Sequence, residues 1–134
     1  MSTITDILNN SRTVAIVGLS ANPERPSFVV GKYLKEHGYK IIPVNPGEKI
    51  ILDETSYPDL AAIPENIDLV DIFRKPEDVL PIVRQAIQTG AKAVWMQEGV
   101  VNEEAAAEAR KASLKVVMDK CIRKEHVKLH GGEV

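Results

Sequence analysis

The 134-residue chain is short of several things, and each shortage excludes a class of protein. It has one cysteine, so no internal disulfide can form and nothing points to secretion. It has no basic surplus: 17 Lys and Arg against 19 Asp and Glu leave a formal net charge of −2. Binding to nucleic acid by counterion release is therefore not expected. No apolar run approaches the roughly 18–20 residues that span a bilayer. The opening MSTITDILNNSRT lacks a positive stretch followed by an apolar one, so it does not read as a signal peptide. What is present is 44% hydrophobic and 27% charged residues, the balance of a folded domain with one core. The expectation is a single cytoplasmic domain with its core over about 13–126, a helix over 1–12 and a tail over 127–134.

Short apolar runs alternate with amphipathic stretches. Thr13-Val-Ala-Ile-Val-Gly18, Tyr39-Lys-Ile-Ile-Pro-Val44, Asp68-Leu-Val-Asp-Ile-Phe73, Lys92-Ala-Val-Trp-Met96 and Lys115-Val-Val-Met118 read as strands. Between them, Phe28, Val29, Tyr33 and Leu34 recur at helical spacing and stop at His37-Gly38. A second helix runs from Pro76 through Ile87 to Gly90; Pro81 either marks its true start or bends it. Asn102 caps a third, Glu103 to Ala112, and Cys121 to Leu129 forms a last helix. Glu48 to Asn66 reads as a loop with a short helix around Pro58 to Ala62. Continuous apolar strands suit a sheet covered on both faces. The fold class is α/β, a doubly wound, mostly parallel five-stranded sheet.

In such a sheet, ligands bind beyond the carboxyl ends of the strands. The loop Gly18-Leu-Ser-Ala-Asn-Pro-Glu-Arg-Pro-Ser27 runs straight into a helix. Gly18 permits a sharp turn and close backbone approach, and Ser27 is the expected helix cap. Free amides and the dipole end would favour an anion. Arg25 can fork onto phosphate oxygens, and Ser20 and Asn22 offer neutral hydrogen bonds. The loop is suited to a phosphorylated ligand, although glycine and proline also serve simply to close such a turn.

Several familiar phosphate sites are excluded. Ser20 and Arg25 or Pro23 stand where a Gly-x-Gly-x-x-Gly fingerprint needs further glycines, and Asn45-Pro46-Gly47 stands where a ribose-gripping acid belongs. No Gly-Lys-Ser/Thr follows Gly18, which removes a P-loop. A phosphoacceptor receiver domain shares the architecture, and Asp71 and Lys120 suit one. Its metal needs carboxylates after the first strand, where this chain has Gly18-Leu19-Ser20.

Five segments, in order, carry a resemblance: Val14-Ala-Ile-Val-Gly-Leu-Ser-Ala-Asn-Pro-Glu-Arg-Pro-Ser27, Pro43-Val-Asn-Pro-Gly47, Val70-Asp-Ile-Phe-Arg74, Gly90-Ala-Lys-Ala-Val-Trp-Met-Gln-Glu-Gly99 and Val117-Met-Asp-Lys-Cys121. Together they resemble the small stand-alone CoA-binding proteins, similar to the CoA-binding domain of the succinyl-CoA synthetase alpha subunit. The resemblance implies a Rossmann-like domain whose cofactor is coenzyme A. It places the phosphates at Gly18, Leu19, Ser20, Ala21 and Asn22, with Arg25 and Ser27 beside them. Further contacts are implied at Asn45 and Pro46, at Phe73, Arg74 and Lys75, and at Met96, Gln97, Glu98 and Gly99. The synthetase Pro-Gly-Lys corresponds to Pro46-Gly47-Glu48-Lys49, with the lysine one position later. Arg25, Arg74, Lys75 and Lys49 could surround the phosphates, and Phe73 and Leu19 offer apolar surface to adenine or the pantetheine arm. Each cation also reads as ordinary solvated surface charge.

The phosphohistidine chemistry of the synthetase belongs to a second domain, so that reaction is not expected of these residues. His37 ends a helix, where a cation complements the dipole. His126 and His130 share a helix face at a metal-ligand spacing, but with only Glu133 as a further donor they read better as part of a solvated tail, and no metal is expected. Cys121, near Lys120 and Arg123 at a helix start, reads either as a buried small residue or as a redox thiol able to form a mixed disulfide with CoA. Glu98 has no partner marking it as a base, Trp95 and Met96 read as core, and no catalytic residue is assigned. The sequence thus predicts a CoA or acyl-CoA carrier or regulatory module. The alternatives are a small acyl-CoA-dependent enzyme using Glu98 or Cys121, or an NAD(P)-binding regulatory domain. Expected partners are a second copy of the chain or a synthetase-like protein, not nucleic acid or a membrane.

Overall fold

The computed structural model describes residues 3–131; Glu133, considered above as a metal donor, lies outside them. In chain order the elements are α1 (Thr3–Asn10), β1 (Thr13–Val17), α2 (Pro26–Glu36), β2 (Lys40–Val44), β3 (Ile50–Ile51), β4 (Glu54–Thr55), β5 (Leu69–Ile72), α3 (Val79–Gln88), β6 (Ala93–Met96), α4 (Glu103–Lys111), β7 (Lys115–Val117) and α5 (Ile122–Leu129). Single 3-10 turns lie at Leu60–Ala62 and Pro76–Asp78.

Five strands form one sheet in the order β2-β1-β5-β6-β7, and every pairing within it is parallel. Side chains alternate along each strand, and both faces are apolar. Ala15, Val17, Val70, Ile72, Val94 and Met96 pack toward α3 and α4. Val14, Ile16, Leu69, Ala93 and Trp95 pack toward α1, α2 and α5. Burial on both sides is why the strands read as unbroken apolar runs. Strand order reverses direction between β1 and β5, and that switch point opens a crevice at the carboxyl edge.

Three details differ from the sequence expectation or settle it. The segment read as a loop holds a two-stranded hairpin, β3 with β4, turned by Leu52 and Asp53 at φ 53° and 63°. A Leu-Asp turn carries none of the Asn-Gly signal that marks such hairpins. The short helix near Pro58 is one 3-10 turn, capped by the Asp59 side chain, which accepts from the Ala62 amide at 3.0 Å. Pro81 sits in the first turn of α3, behind the separate 3-10 turn at Pro76, so its missing N–H removes no helical bond.

Candidate functional site

An open cleft of about 670 Å³ lies beyond the carboxyl ends of β1, β5 and β6, lined also by the start of α2 and by Cys121. It brings together Gly18, Ser20, Arg25, Ser27, Phe73, Arg74, Lys75, Gln97, Glu98, Gly99 and Cys121 of the residues singled out from sequence. Leu19, Ala21, Asn22, Asn45, Pro46 and Met96 do not line it.

The first loop holds its shape with its own hydrogen bonds. The Ser20 amide donates to Ser27 Oγ at 2.9 Å, the Asn22 amide to Ser20 Oγ at 3.0 Å, and the Glu24 amide to Asn22 Oδ1 at 3.0 Å. Two expectations change as a result. Ser27 is not the cap of α2: the helix begins one residue earlier, at Pro26, with Arg25 at the cap position and no side-chain cap bond. Most of the loop's amides are also already used, so an anion meets chiefly side chains there. Asn45 braces the loop from below, donating from Nδ2 to the Leu19 carbonyl at 3.0 Å and accepting the Gly47 amide at 2.9 Å.

Gly18 makes its turn at φ +88°, but the close approach is to the protein itself. A Cβ built there would stand 2.2 Å from the Phe73 carbonyl oxygen. Leu19 and Met96 are fully buried, at 0% exposure. Their side chains belong to the core, which corrects the expectation that Leu19 offers apolar surface to a ligand. Phe73 is half-buried and lines the cleft.

Three exposed cations line the cleft together with the carboxylates of Asp78 and Glu98. Arg25, Arg74 and Lys75 take part in none of the ion pairs among the described residues. Glu98, by contrast, is held by Lys124 at 3.0 Å, which leaves it poorly placed as a base. Gln97 is buried, and its Oε1 accepts the first amide of α5, from Ile122, at 3.1 Å. Gly99 donates its amide to Asp119 Oδ1 at 2.7 Å. Cys121 is buried at 7% exposure, facing the cleft from the cap position of α5. Pro46 and Arg74 line a neighbouring hollow of about 210 Å³, which Lys49 does not reach.

Asp71 sits between Ile16 and Trp95 on the neighbouring strands. Both its carboxylate oxygens are buried without a hydrogen-bond partner, and burial raises its pKa well above the usual carboxylate range. A sealed carboxyl cannot receive a phosphoryl group, in keeping with the exclusion of receiver chemistry. Sequence reasoning missed Pro26, Val30, Pro76, Asp78 and Val100, which also line the cleft. Val30 lies one helical turn beyond Ser27, and Pro76 and Asp78 continue the loop from Lys75, so the signal was present. It also misjudged the tail: His126 is buried at 6% exposure in α5, not frayed.

A doubly wound parallel sheet with a cleft at its switch point defines the class as a Rossmann-like α/β domain. A family model described as a CoA binding domain matches residues 12–127, and the chain belongs to that family. It is 38% identical over 123 residues to the uncharacterized protein YneT of Bacillus subtilis, covering 92% of this chain and 91% of that one. It is 33% identical over 117 residues to an ADP-forming acetate–CoA ligase II of Archaeoglobus fulgidus, covering 84% of this chain but only 17% of the ligase. A hypothetical protein from Pyrococcus horikoshii superposes with a TM-score of 0.94 at 41% identity, over 98% of this chain and 94% of that one. No helix among the described residues is long and apolar enough to cross a membrane.

Proposed function

We propose that this domain binds coenzyme A, or an acyl-CoA, in the carboxyl-edge cleft, and serves as a carrier or regulatory module. The observation that carries the reading is the convergence on one cleft at the switch point of Arg25, Arg74 and Lys75, none of them in an ion pair among the described residues. Membership of the CoA binding domain family supports it. Coenzyme A carries a pyrophosphate and a ribose phosphate, and charge-assisted bonds from arginine suit both. Phe73 supplies apolar contact, and the hollow at Pro46 and Arg74 gives adenine a place near the ends of β1 and β2. A second copy of the chain or a synthetase-like protein would then receive the bound cofactor.

Calorimetric titration with CoA, NAD and ATP tests the reading. Preference for CoA is the expected result, and tight NAD binding with indifference to CoA defeats it. Arg25→Ala should weaken CoA binding about tenfold or more, since one charge-assisted bond contributes about 1.5–3 kcal/mol. Turnover of an acyl-CoA that vanishes in Glu98→Ala or Cys121→Ala would instead favour an enzyme.

A further inference from the structure

At the opposite, amino edge of the sheet lies another open cavity, of about 860 Å³. It is walled by the turn before β1, the end of α2, the start of β2 and the outer half of α5. All three histidines of the chain meet there. The His126 and His130 ring centroids are 4.3 Å apart, those of His37 and His126 are 5.4 Å apart, and Tyr33 stacks on His37 at 3.9 Å. We propose that this cavity is a second ligand site, taking a phosphate-type oxyanion between the three imidazoles, Tyr33 and Arg12.

Arg12 is a donor throughout, and each imidazole donates from both ring nitrogens once it carries a second proton. His37 Nδ1 lies 2.7 Å from the Tyr33 carbonyl oxygen. A carbonyl only accepts, so that nitrogen carries the proton and Nε2 is left for the cavity. His126 Nδ1 is bonded to the Tyr33 hydroxyl at 2.7 Å, which likewise leaves its Nε2. Arg12 takes part in no ion pair among the described residues, whereas Lys40 is held by Glu65. Among the described residues no carboxylate lines the cavity. A metal is not the natural occupant, since no group of three His, Cys, Asp or Glu among the described residues is placed to hold one.

Electrostatics favours an anion that brings protons with it. His126 faces Tyr33 and His37 from α2, Tyr39 from the residue before β2, and His130 on its own helix. Arg12 and Lys40 line the same cavity, and Arg123 acts on Tyr33. Burial first, then the nearby His130 and His37, hold the His126 pKa below the ordinary imidazole value. A bound dianion would offset that repulsion and let the imidazoles protonate. Phosphate suits them better than a carboxylate. Its tetrahedral oxygens accept donors from several directions, and its second ionisation near pH ~6 lies close to that of imidazole.

The test is titration of the full chain with inorganic phosphate and, separately, a simple phosphomonoester, followed by calorimetry and the histidine ring resonances. Saturable shifts of all three histidines are expected, with binding about tenfold tighter at pH 6 than at pH 8. Arg12→Ala and His130→Gln should each weaken it about tenfold, whereas Arg25→Ala should leave it unchanged. Either probe binding supports the site, and the tighter one identifies free phosphate or a phosphoryl group as its ligand. Histidine resonances that do not respond, or a response untouched by Arg12→Ala in a variant that melts like the parent, overturn the proposal. So does zinc moving those resonances when phosphate does not. The carboxyl-edge reading stands or falls separately, on CoA binding and Arg25→Ala.

Discussion

At Gly18 a single hydrogen atom decides whether β1 can turn beneath β5. Alanine there would combine a left-handed backbone, at φ +88°, with a Cβ 2.2 Å from the Phe73 carbonyl oxygen. Gly18→Ala should therefore destabilise the fold by about 2–5 kcal/mol, read from urea unfolding. The residue was legible in sequence as a necessary glycine. Its reason was not, because the atom it avoids lies just past the end of β5, 55 residues further along the chain. Asp71 is a comparable case. Its carboxyl is buried without a partner and its pKa is raised by that burial. The unfolded chain releases this proton near pH ~3.9, while the folded chain keeps it. Above that pH the native state binds more protons, so stability falls as pH rises, by up to about 1.4 kcal/mol per pH unit. The fall ends once the folded carboxyl itself ionises. Asp71→Asn, which cannot titrate, should flatten this dependence in urea unfolding run from pH 4 upward.

At the scale of elements, α5 is anchored at its first turn by a side chain from β6's loop. Gln97 Oε1 accepts the Ile122 amide in a buried setting. Gln97→Leu would leave that amide unsatisfied, and should lower stability by about 1–3 kcal/mol in thermal unfolding and speed amide exchange along α5. Asn102 does the same for α4, accepting the Ala105 amide at 2.9 Å. That cap was legible, since an Asn before two acids and an alanine run is a local signal. The role of Gln97 was not, because its partner is 25 residues away. The cap of α2 was misplaced for a local reason: Ser27 has the right chemistry, but Pro26 already supplies the fixed φ of a first helical residue, and the serine turns back to the Ser20 amide. The β3–β4 hairpin left no trace because Leu52 is not a turn residue and no glycine follows Asp53 to complete the usual hairpin signal.

For the whole molecule, the alternation of apolar runs and amphipathic helices sufficed to predict a doubly covered parallel sheet, and with it the edge at which the cleft opens. What periodicity could not convey is convergence across the chain. His37 is separated from His126 by six strands in sequence, yet their rings are 5.4 Å apart. Arg74 likewise serves two adjoining hollows that no linear motif predicts. On the proposed function, the three exposed cations of the cleft should hold CoA less tightly as salt rises. Calorimetry with CoA across 50 to 500 mM salt is expected to show a steady loss of affinity, because exposed charges are screened over about 10 Å at 0.1 M.

The stapling of the first loop by Ser20, Asn22, Ser27 and Asn45 has a thermodynamic corollary. A cradle already frozen by its own internal bonds gives up little further chain entropy when occupied. Vacant and loaded forms should therefore superpose along this stretch, and recognition there is closer to a key entering a cut lock than to a hand closing around an object.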